Sequence, residues 1–256
     1  VLQALRPDLN ASVISVTEQW AQFAVAGPQA RALLNTVLDQ ELNDEAWPFM
    51  ACGTVGIGGA KGRLFRISFS GEHAYEISVP SRYGESLFRQ LVAQAEVMGG
   101  GPYGMEALNV LRIEKGFITH AEIHGRTTAF DIGMDRMVSA KKDCIGKAAA
   151  ARPGLNGETR QQLVGLHSKG RDHALSAGAH LFKAGASAVR ENSQGYTTSV
   201  CYSPTLDTHL ALGFLENGRA RHGEVIKLRD HLRDITQEVT VCDPVFFDPT
   251  GGRARG

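Results

Sequence analysis

Apolar and polar positions alternate in short runs along the first part of the chain. The alternation predicts strands at residues 13–16 and 20–26, and apolar positions at helical spacing predict a helix over residues 29–38. Between residues 52 and 79, glycine-containing breaks separate three apolar runs, as is typical of hairpin turns. We therefore expect an antiparallel sheet with a flanking helix.

Two further helices and a set of short strands follow. Residues 82–98 carry apolar side chains at every fourth position and end at a glycine-rich stop, and residues 104–117 form a shorter segment of the same kind. From residue 163 to 247, apolar runs recur at about ten-residue spacing, which is typical of a small β-barrel or sandwich. The expected fold class is α+β, with antiparallel sheets, flanking helices and a C-terminal β-barrel.

Turn-forming residues at 152–157 predict a linker between two domains, at residues 1–150 and 158–250. The last six residues, 251–256, are rich in glycine and arginine, and we expect them to fray.

The charge balance and the cysteines narrow the range of functions. Lys and Arg together number 27, as do Asp and Glu, so neither nucleic acid nor a membrane surface is an expected partner. No apolar run reaches the length of a membrane span, and residues 1–6 lack a signal-peptide pattern. The four cysteines lie far apart without a CxxC pair, which favours reduced thiols and a cytoplasmic location.

Two motifs that often carry chemistry do not match their templates. The glycine-rich residues 53–62 fit neither the dinucleotide nor the P-loop spacing, and a β-turn is the favoured interpretation. His120 and His124 are four residues apart, but the H-E-x-x-H pattern and a downstream P-C-x-x-C are both missing. A loop with hydrogen-bonded or exposed histidines is favoured over a metal site, and no metal is expected.

The strand over residues 75–79 places one carboxylate, Glu76, among apolar neighbours. Strand alternation directs Glu76 away from the side that Tyr75 and Ile77 face, and its position suggests burial. Glu76 is a candidate ligand-binding group, and the alternative is a buried ion pair with Arg66 or Arg112.

Four segments resemble the aminomethyltransferase family, the T-protein of the glycine cleavage system and its relatives. Residues 66–77 resemble R-x-G-[YF]-T-G-E-x-G-[FY]-E-I, and residues 104–116 resemble G-x-x-A-R-D-x-L-R-x-E-x-G. Residues 195–206 resemble G-x-[VI]-T-S-x-x-x-S-P-x-L, and residues 243–246 resemble D-P-F-[FY]. The segments follow the family's order over essentially the whole chain, which implies the family's folate-binding fold, N-terminally truncated, followed by its barrel.

Within that family the likeness is strongest to the C-terminal part of the α subunits of heterotetrameric sarcosine oxidases. Residues 15–28, 127–134 and 138–147 carry it, including a double lysine before Asp143. The resemblance implies a tetrahydrofolate-binding domain that accepts the methylene group of oxidised sarcosine and forms 5,10-methylenetetrahydrofolate. FAD, FMN and NAD would belong to other domains or subunits of the complex, which are the implied partners.

The resemblance also implies roles for particular residues. Glu76 would anchor the pterin ring of folate, Arg112 would meet the glutamate tail or orient the pocket, and Tyr75 and Phe69 would be wall residues. The catalytic residue is unassigned, because the family's catalytic aspartate is expected before Val1. Asn109 stands where the family has aspartate, and His120 lies near a family tyrosine.

Two other functions remain open. One is a stand-alone aminomethyltransferase that takes its substrate from a lipoyl carrier protein, and the other is a non-catalytic module for subunit interaction. The amine substrate, sarcosine or dimethylglycine, is also open, because it would be selected at the flavin.

Overall fold

The computed structural model describes residues 7–157, 159–168 and 174–256. They form two compact units: the first contains the described residues up to Ser68, then 72–102 and 254–256, and the second contains 69–71 and 103–253. Residue 158, the predicted start of the second domain, lies outside the described residues. The predicted division at residue 150 stays a prediction.

The first unit is built on a four-stranded antiparallel sheet with the strand order β1-β4-β3-β2. The strands are β1 (Trp20–Ala26), β2 (Cys52–Ile57), β3 (Ala60–Phe65) and β4 (Ala74–Pro80). In this register Glu76 of β4 lies opposite Ala24 on one side and Phe65 on the other. The predicted antiparallel sheet is confirmed.

Two helices belong to the same unit, α1 (Ala30–Asn35) and α2 (Gly84–Val97). Their buried leucines join the side chains of one sheet face in a hydrophobic core that includes the fully buried Leu34, Leu64 and Ile77. Burial of this apolar surface stabilises the unit. No helix in the described part of the chain is long and apolar enough to cross a membrane.

The strand predicted at residues 13–16 is wrong. The described residues from 8 to 16 form no helix or strand, and Val13 and Ile14 expose 82% and 79% of their surface. An apolar segment forms a strand only where a partner strand offers backbone hydrogen bonds. The edge strand β1 pairs with β4 and not with residues 13–16.

The glycine-rich segment is a β-hairpin turn, as its failure to match the phosphate-binding templates indicates. Gly58 and Gly59 connect β2 to β3 with φ angles of +54° and +80°, which only glycine adopts at little cost. The Asp39 carboxylate accepts hydrogen bonds from both backbone N–H groups, at 2.9 and 3.2 Å. The amide donors of this turn are therefore satisfied by a side chain from outside it.

The second unit is a closed antiparallel barrel with two short helices, α3 (Met105–Glu114) and α4 (Lys147–Ala150). The barrel order is β10-β5-β8-β7-β6-β9. Its strands are β5 (Gln161–His167), β6 (His180–Lys183), β7 (Gly195–Ser203), β8 (Thr208–Glu216), β9 (Val225–Asp230) and β10 (Ile235–Cys242). The predicted α+β class and C-terminal barrel are confirmed.

The last residues of the chain are ordered, so the expectation that residues 251–256 fray is wrong. They contain a short helix, α5 (Gly252–Arg255), and Ala254 is only 4% exposed. The Asp248 carboxylate accepts from the N–H groups of Gly252 and Arg253, at 3.0 and 3.1 Å. A capping carboxylate offsets the weak helix propensity of a glycine-rich segment.

Candidate functional site

Glu76 lies on the sheet face opposite to the hydrophobic core of the first unit. Alternate positions on the neighbouring strands share this face, and Gln22, Ala24 and Arg63 are exposed there. Glu76 itself is half-buried, so the expectation of a buried carboxylate is corrected. Its neighbour on β1 is a small alanine, Ala24, which covers little of the carboxylate.

The side-chain amide of Gln22 holds the Glu76 carboxylate in place. Gln22 Nε2 donates a hydrogen bond to Glu76 Oε2 across β1 and β4. Arg66, which the sequence offered as an ion-pair partner, instead donates to the carbonyl of Ala74 at 3.0 Å and to His73 Nδ1 at 2.9 Å. Glu76 is therefore an acceptor with lone pairs available to a ligand.

Tyr75 lies on the other face of β4, in the hydrophobic core. It is fully buried, and its hydroxyl accepts from Arg31 Nε at 3.3 Å and lies 3.2 Å from His73 Nε2. Tyr75 and Glu76 therefore point to opposite sides of the sheet. That Tyr75 forms a wall of the folate pocket stays a prediction. Its ring could do so only on the sheet face opposite to Glu76.

Arg112 is deeply embedded in the second unit, where it is 5% exposed. It donates two hydrogen bonds to Asn109 Oδ1, at 2.9 and 2.8 Å, one to the carbonyl of Phe117 at 3.2 Å and one to Ser199 Oγ at 2.8 Å. Burial lowers the pKa of Arg112, while the Glu122 carboxylate 3.7 Å away acts against this shift. The asparagine in place of the family's aspartate still accepts two hydrogen bonds, from the Nε and Nη2 edge of the guanidinium.

The segments that carry the family resemblance in the second unit contact one another. Glu114, two residues after Arg112 on α3, accepts from Ser203 Oγ at 2.5 Å and Thr205 Oγ1 at 3.3 Å. Gly116 has φ +70°, and a Cβ atom added there would lie 2.5 Å from the carbonyl oxygen of Pro244. These contacts tie α3 to the barrel, so this motif has a structural role in addition to any part in binding.

Phe69 lies in the second unit and is 39% exposed. Its ring stacks on Phe117 with the centroids 6.0 Å apart and the planes 12° from parallel. Since Arg112 donates to the Phe117 carbonyl, Phe69 and Arg112 share a neighbour. Of the four predicted folate-site residues, Glu76 and Tyr75 belong to the first unit and Phe69 and Arg112 to the second.

The histidine pair lies in turns and is not on a helix. His120 is exposed, and His124 Nε2 lies 3.2 Å from the hydroxyl of Tyr196. Across residues 7–157, 159–168 and 174–256, no group of three or more His, Cys, Asp or Glu side chains is arranged to hold a metal ion. Burial raises the pKa of Cys201 and of Cys242 to about 12, so both are thiols at neutral pH.

Sequence reasoning missed Gln22. The signal available was its polar character at an alternate position of β1, but only the β1–β4 register brings it to Glu76. It also missed the buried pair of Asp131 and Arg160, whose atoms Oδ2 and Nη2 are 2.6 Å apart. The local sequence, an aspartate followed by isoleucine in a loop, does not indicate that the Asp131 carboxylate is buried.

Two family models match the chain. The GCVT N-terminal domain matches residues 1–142, and the glycine cleavage T-protein C-terminal barrel domain matches residues 161–248.

Similar proteins include larger enzymes. Sarcosine oxidase subunit alpha of Rhizobium meliloti is 46% identical over 254 residues, which are 98% of this chain and 26% of that protein. The subunit of the same name from Corynebacterium sp. (strain P-1) is 37% identical over 260 residues, which cover 100% of this chain and 27% of that protein. The chain thus spans about a quarter of the length of these relatives.

The fold is also that of a solved structure, the glycine cleavage system aminomethyltransferase T from Bartonella henselae. The TM-score is 0.72 at 23% identity, with 90% of this chain and 60% of that chain covered. This similarity independently supports the α+β arrangement with a terminal barrel.

Proposed function

The chain belongs to the glycine cleavage T-protein family, and from this premise we propose that it is a tetrahydrofolate-binding domain in which Glu76 holds the pterin ring. The observation that supports this most is the Glu76 carboxylate itself. It lies half-buried on the sheet face opposite to the core, and it accepts a hydrogen bond from a neutral amide.

The chemistry of a reduced pterin fits such a carboxylate. The pyrimidine edge of the ring presents two adjacent N–H donors, and a carboxylate accepts two parallel hydrogen bonds through its two oxygens. Gln22 fixes the rotation of the carboxylate by bonding to Oε2, which retains a further lone pair for the ligand. Glu76 would therefore be oriented before the ligand arrives, which lowers the entropic cost of binding.

We further propose that the bound folate takes up the one-carbon unit of an oxidised amine. The names of the similar sarcosine oxidase subunits support sarcosine as the amine. In this transfer N5 and N10 of tetrahydrofolate would each form a bond to the methylene carbon of the oxidised amine, and the bond between that carbon and the amine nitrogen would break. The two N–H protons would pass to the departing amine, which is glycine when the substrate is sarcosine, and the other product is 5,10-methylenetetrahydrofolate. The oxidation itself would take place at a flavin in another domain or subunit, and this chain would hold and orient the acceptor.

The contacts of Arg112 support an orienting role over direct contact with the glutamate tail. Its four hydrogen bonds use nearly all the N–H groups of the guanidinium. In this proposal Arg112 holds the backbone at Phe117, whose ring stacks on the half-exposed ring of Phe69.

The second candidate function is aminomethyl transfer from a lipoyl carrier protein. The structural similarity to an aminomethyltransferase favours it, although that similarity is one of fold. Release of a one-carbon unit from a lipoylated carrier protein to tetrahydrofolate by this chain would establish it. A non-catalytic module for subunit interaction would bind no folate.

Calorimetric titration with folinic acid, a stable reduced folate, tests the proposal. We expect saturable binding by the parent chain and a loss of about 2 kcal/mol in Glu76→Ala, or roughly thirtyfold in Kd, because the variant leaves pterin N–H groups without an acceptor. Glu96→Ala is the matched control, since Glu96 is an exposed carboxylate on α2, and it should bind as the parent does.

Equal affinity of the parent chain and Glu76→Ala would contradict the anchor role. The subunit-interaction module would be favoured if neither the parent chain nor Glu76→Ala binds folinic acid and a longer polypeptide that contains this chain does not bind it either.

A further inference from the structure

The four strands of the first unit's sheet contain one acidic and two basic residues, and all three lie on the same face. Glu76 of β4 is the acid, and Lys61 and Arg63 of β3 are the bases. Phe65 lies opposite Glu76, and alternation along β3 places residues 61, 63 and 65 on one face. Because Arg63 lies opposite Ser78, both bases are displaced from Glu76 in the same direction along the sheet.

Arg63 is held by an aromatic ring. Its side chain reaches across β4 to β1, where the guanidinium carbon lies over the indole of Trp20, 4.0 Å from the ring centroid. Ser78 separates the two residues on β4, and it is small and only 4% exposed. A cation over an indole is attracted to the electrons of the ring, so Trp20 restricts where the Arg63 guanidinium can lie.

The donors of Arg63 remain available to a ligand. Arg63 is exposed, and within the part of the chain that the structure describes its guanidinium forms no hydrogen bond or ion pair. Stacking occupies the flat face of a guanidinium and leaves the N–H groups at its edge free, and this edge matches the two oxygens of a carboxylate. Arg112 differs, because its hydrogen bonds to neighbouring groups already occupy its donors.

We propose that Arg63, positioned by Trp20, binds a carboxylate of the glutamate tail of folate. This inference rests on the proposed function, in which Glu76 holds the pyrimidine edge of the pterin ring. The tail leaves a pterin at the end opposite to that edge, so a ring that lies along β4 would direct its tail away from Glu76. Arg63 lies two residues along the sheet from Glu76, a step of about 7 Å, and its side chain extends this reach.

The order of charges on this face matches the order of groups in folate. The acid, Glu76, would meet the N–H donors of the pterin, and the bases would meet the acidic tail. The glutamate of folate carries two carboxylates, and the exposed Lys61 would add attraction at longer range. The pair of Arg63 and Trp20 would therefore favour folates over pterins that lack the tail.

Calorimetric titrations with two ligands test this selectivity. Folinic acid carries the glutamate tail, and 6-methyltetrahydropterin lacks it. We expect Arg63→Gln to weaken folinic acid roughly three- to tenfold in Kd, the size of effect that an exposed ion pair gives, and to leave 6-methyltetrahydropterin unchanged. Arg89→Gln is the matched control, since it removes one exposed positive charge from α2, and it should bind both ligands as the parent chain does.

The failure of this inference differs from that of the pterin anchor. Folinic acid affinity that is lost in Glu76→Ala but unchanged in Arg63→Gln would overturn the tail site and leave the anchor standing. Equal weakening of both ligands in Arg63→Gln would also overturn the tail site, because a tail contact cannot affect a ligand without a tail. If neither the parent chain nor a longer polypeptide that contains it binds folinic acid, both proposals fail.

Two substitutions at Trp20 test its positioning role. Trp20→Leu removes the aromatic face under Arg63 and should weaken folinic acid but not 6-methyltetrahydropterin. Trp20→Phe keeps an aromatic face and should bind folinic acid more tightly than Trp20→Leu does. Equal folinic acid affinity in these two variants would contradict the role of the ring.

Discussion

At the scale of single residues, Gly116 shows how one position holds a motif together. It follows α3 with φ +70° and approaches the Pro244 carbonyl so closely that a side chain has no space. Both the left-handed backbone and the contact require glycine. The glycine that ends the family-like segment is therefore explained by packing within the second unit.

We predict that Gly116→Ala destabilises the protein by roughly 2–4 kcal/mol, because the strain of the backbone adds to a clash with backbone atoms. Urea denaturation followed by circular dichroism measures the loss. Gly99→Ala is the matched control, since Gly99 has φ +77° but no atom within 4 Å of an added Cβ, and it should lose only about 1 kcal/mol. Equal losses in the two variants would contradict the clash.

The sequence singled out candidate site residues, but it could not show their contacts. Alternation along β4 predicted correctly that Glu76 and Tyr75 point to opposite faces. It could not show that Gln22 holds the carboxylate, because that pair depends on the register between strands 54 residues apart. Nor could it show that the acceptors of Arg112 are already present within the second unit.

At the scale of elements, a buried ion pair attaches a loop to the start of β5. Arg160 binds the Asp131 carboxylate through Nε at 2.8 Å and Nη2 at 2.6 Å, and Thr128 N donates to the same carboxylate at 2.8 Å. Burial alone would raise the pKa of Asp131, but the hydrogen bonds from Arg160 and Thr128 outweigh it and lower the pKa.

The lowered pKa of Asp131 predicts the direction in which the free energy of unfolding changes with pH. A carboxylate with a lowered folded-state pKa contributes stability that is fully present above its unfolded pKa, about 3.9, and is lost as the pH falls through the folded value. Asp131→Asn should cost about 2–3 kcal/mol at pH 7, with a gap to the parent that narrows below about pH 4. Urea denaturation across pH 3–7 checks both points.

The exposed Asp135→Asn serves as the control for the loss of one negative charge, and it should remain close to the parent at every pH. A gap between Asp131→Asn and the parent that stays constant down to pH 3 would show that the carboxylate is not stabilised by its ion pair.

Elements with strong periodicity were predictable, and short ones were not. The spacing of apolar residues predicted α2, α3 and β1 to within a few residues, and it predicted a barrel or sandwich over residues 163–247 without bounds for its individual strands. Residues 13–16 look like a strand but find no partner among the described residues, and α5 forms from a segment with poor helix propensity because Asp248 caps it. In both places a tertiary contact outweighs the local preference.

At the scale of the whole molecule, the family assignment supports the proposal that the ligand is a folate. The chain matches both the N-terminal and the barrel models of the T-protein family, yet it covers about a quarter of its sarcosine oxidase relatives. Binding of folate is a property that the chain itself can be tested for. Oxidation of the amine would require the remaining parts of such a complex.

The central claim is that Glu76 recognises the pterin ring, and the most direct test separates the ring from the tail. Folinic acid and 6-methyltetrahydropterin, which lacks the tail, are titrated by calorimetry into the parent chain and Glu76→Gln. We predict that the substitution weakens both ligands by the same factor, at least about tenfold, because the amide replaces one acceptor oxygen with a donor. Unchanged binding of 6-methyltetrahydropterin by Glu76→Gln would contradict the claim.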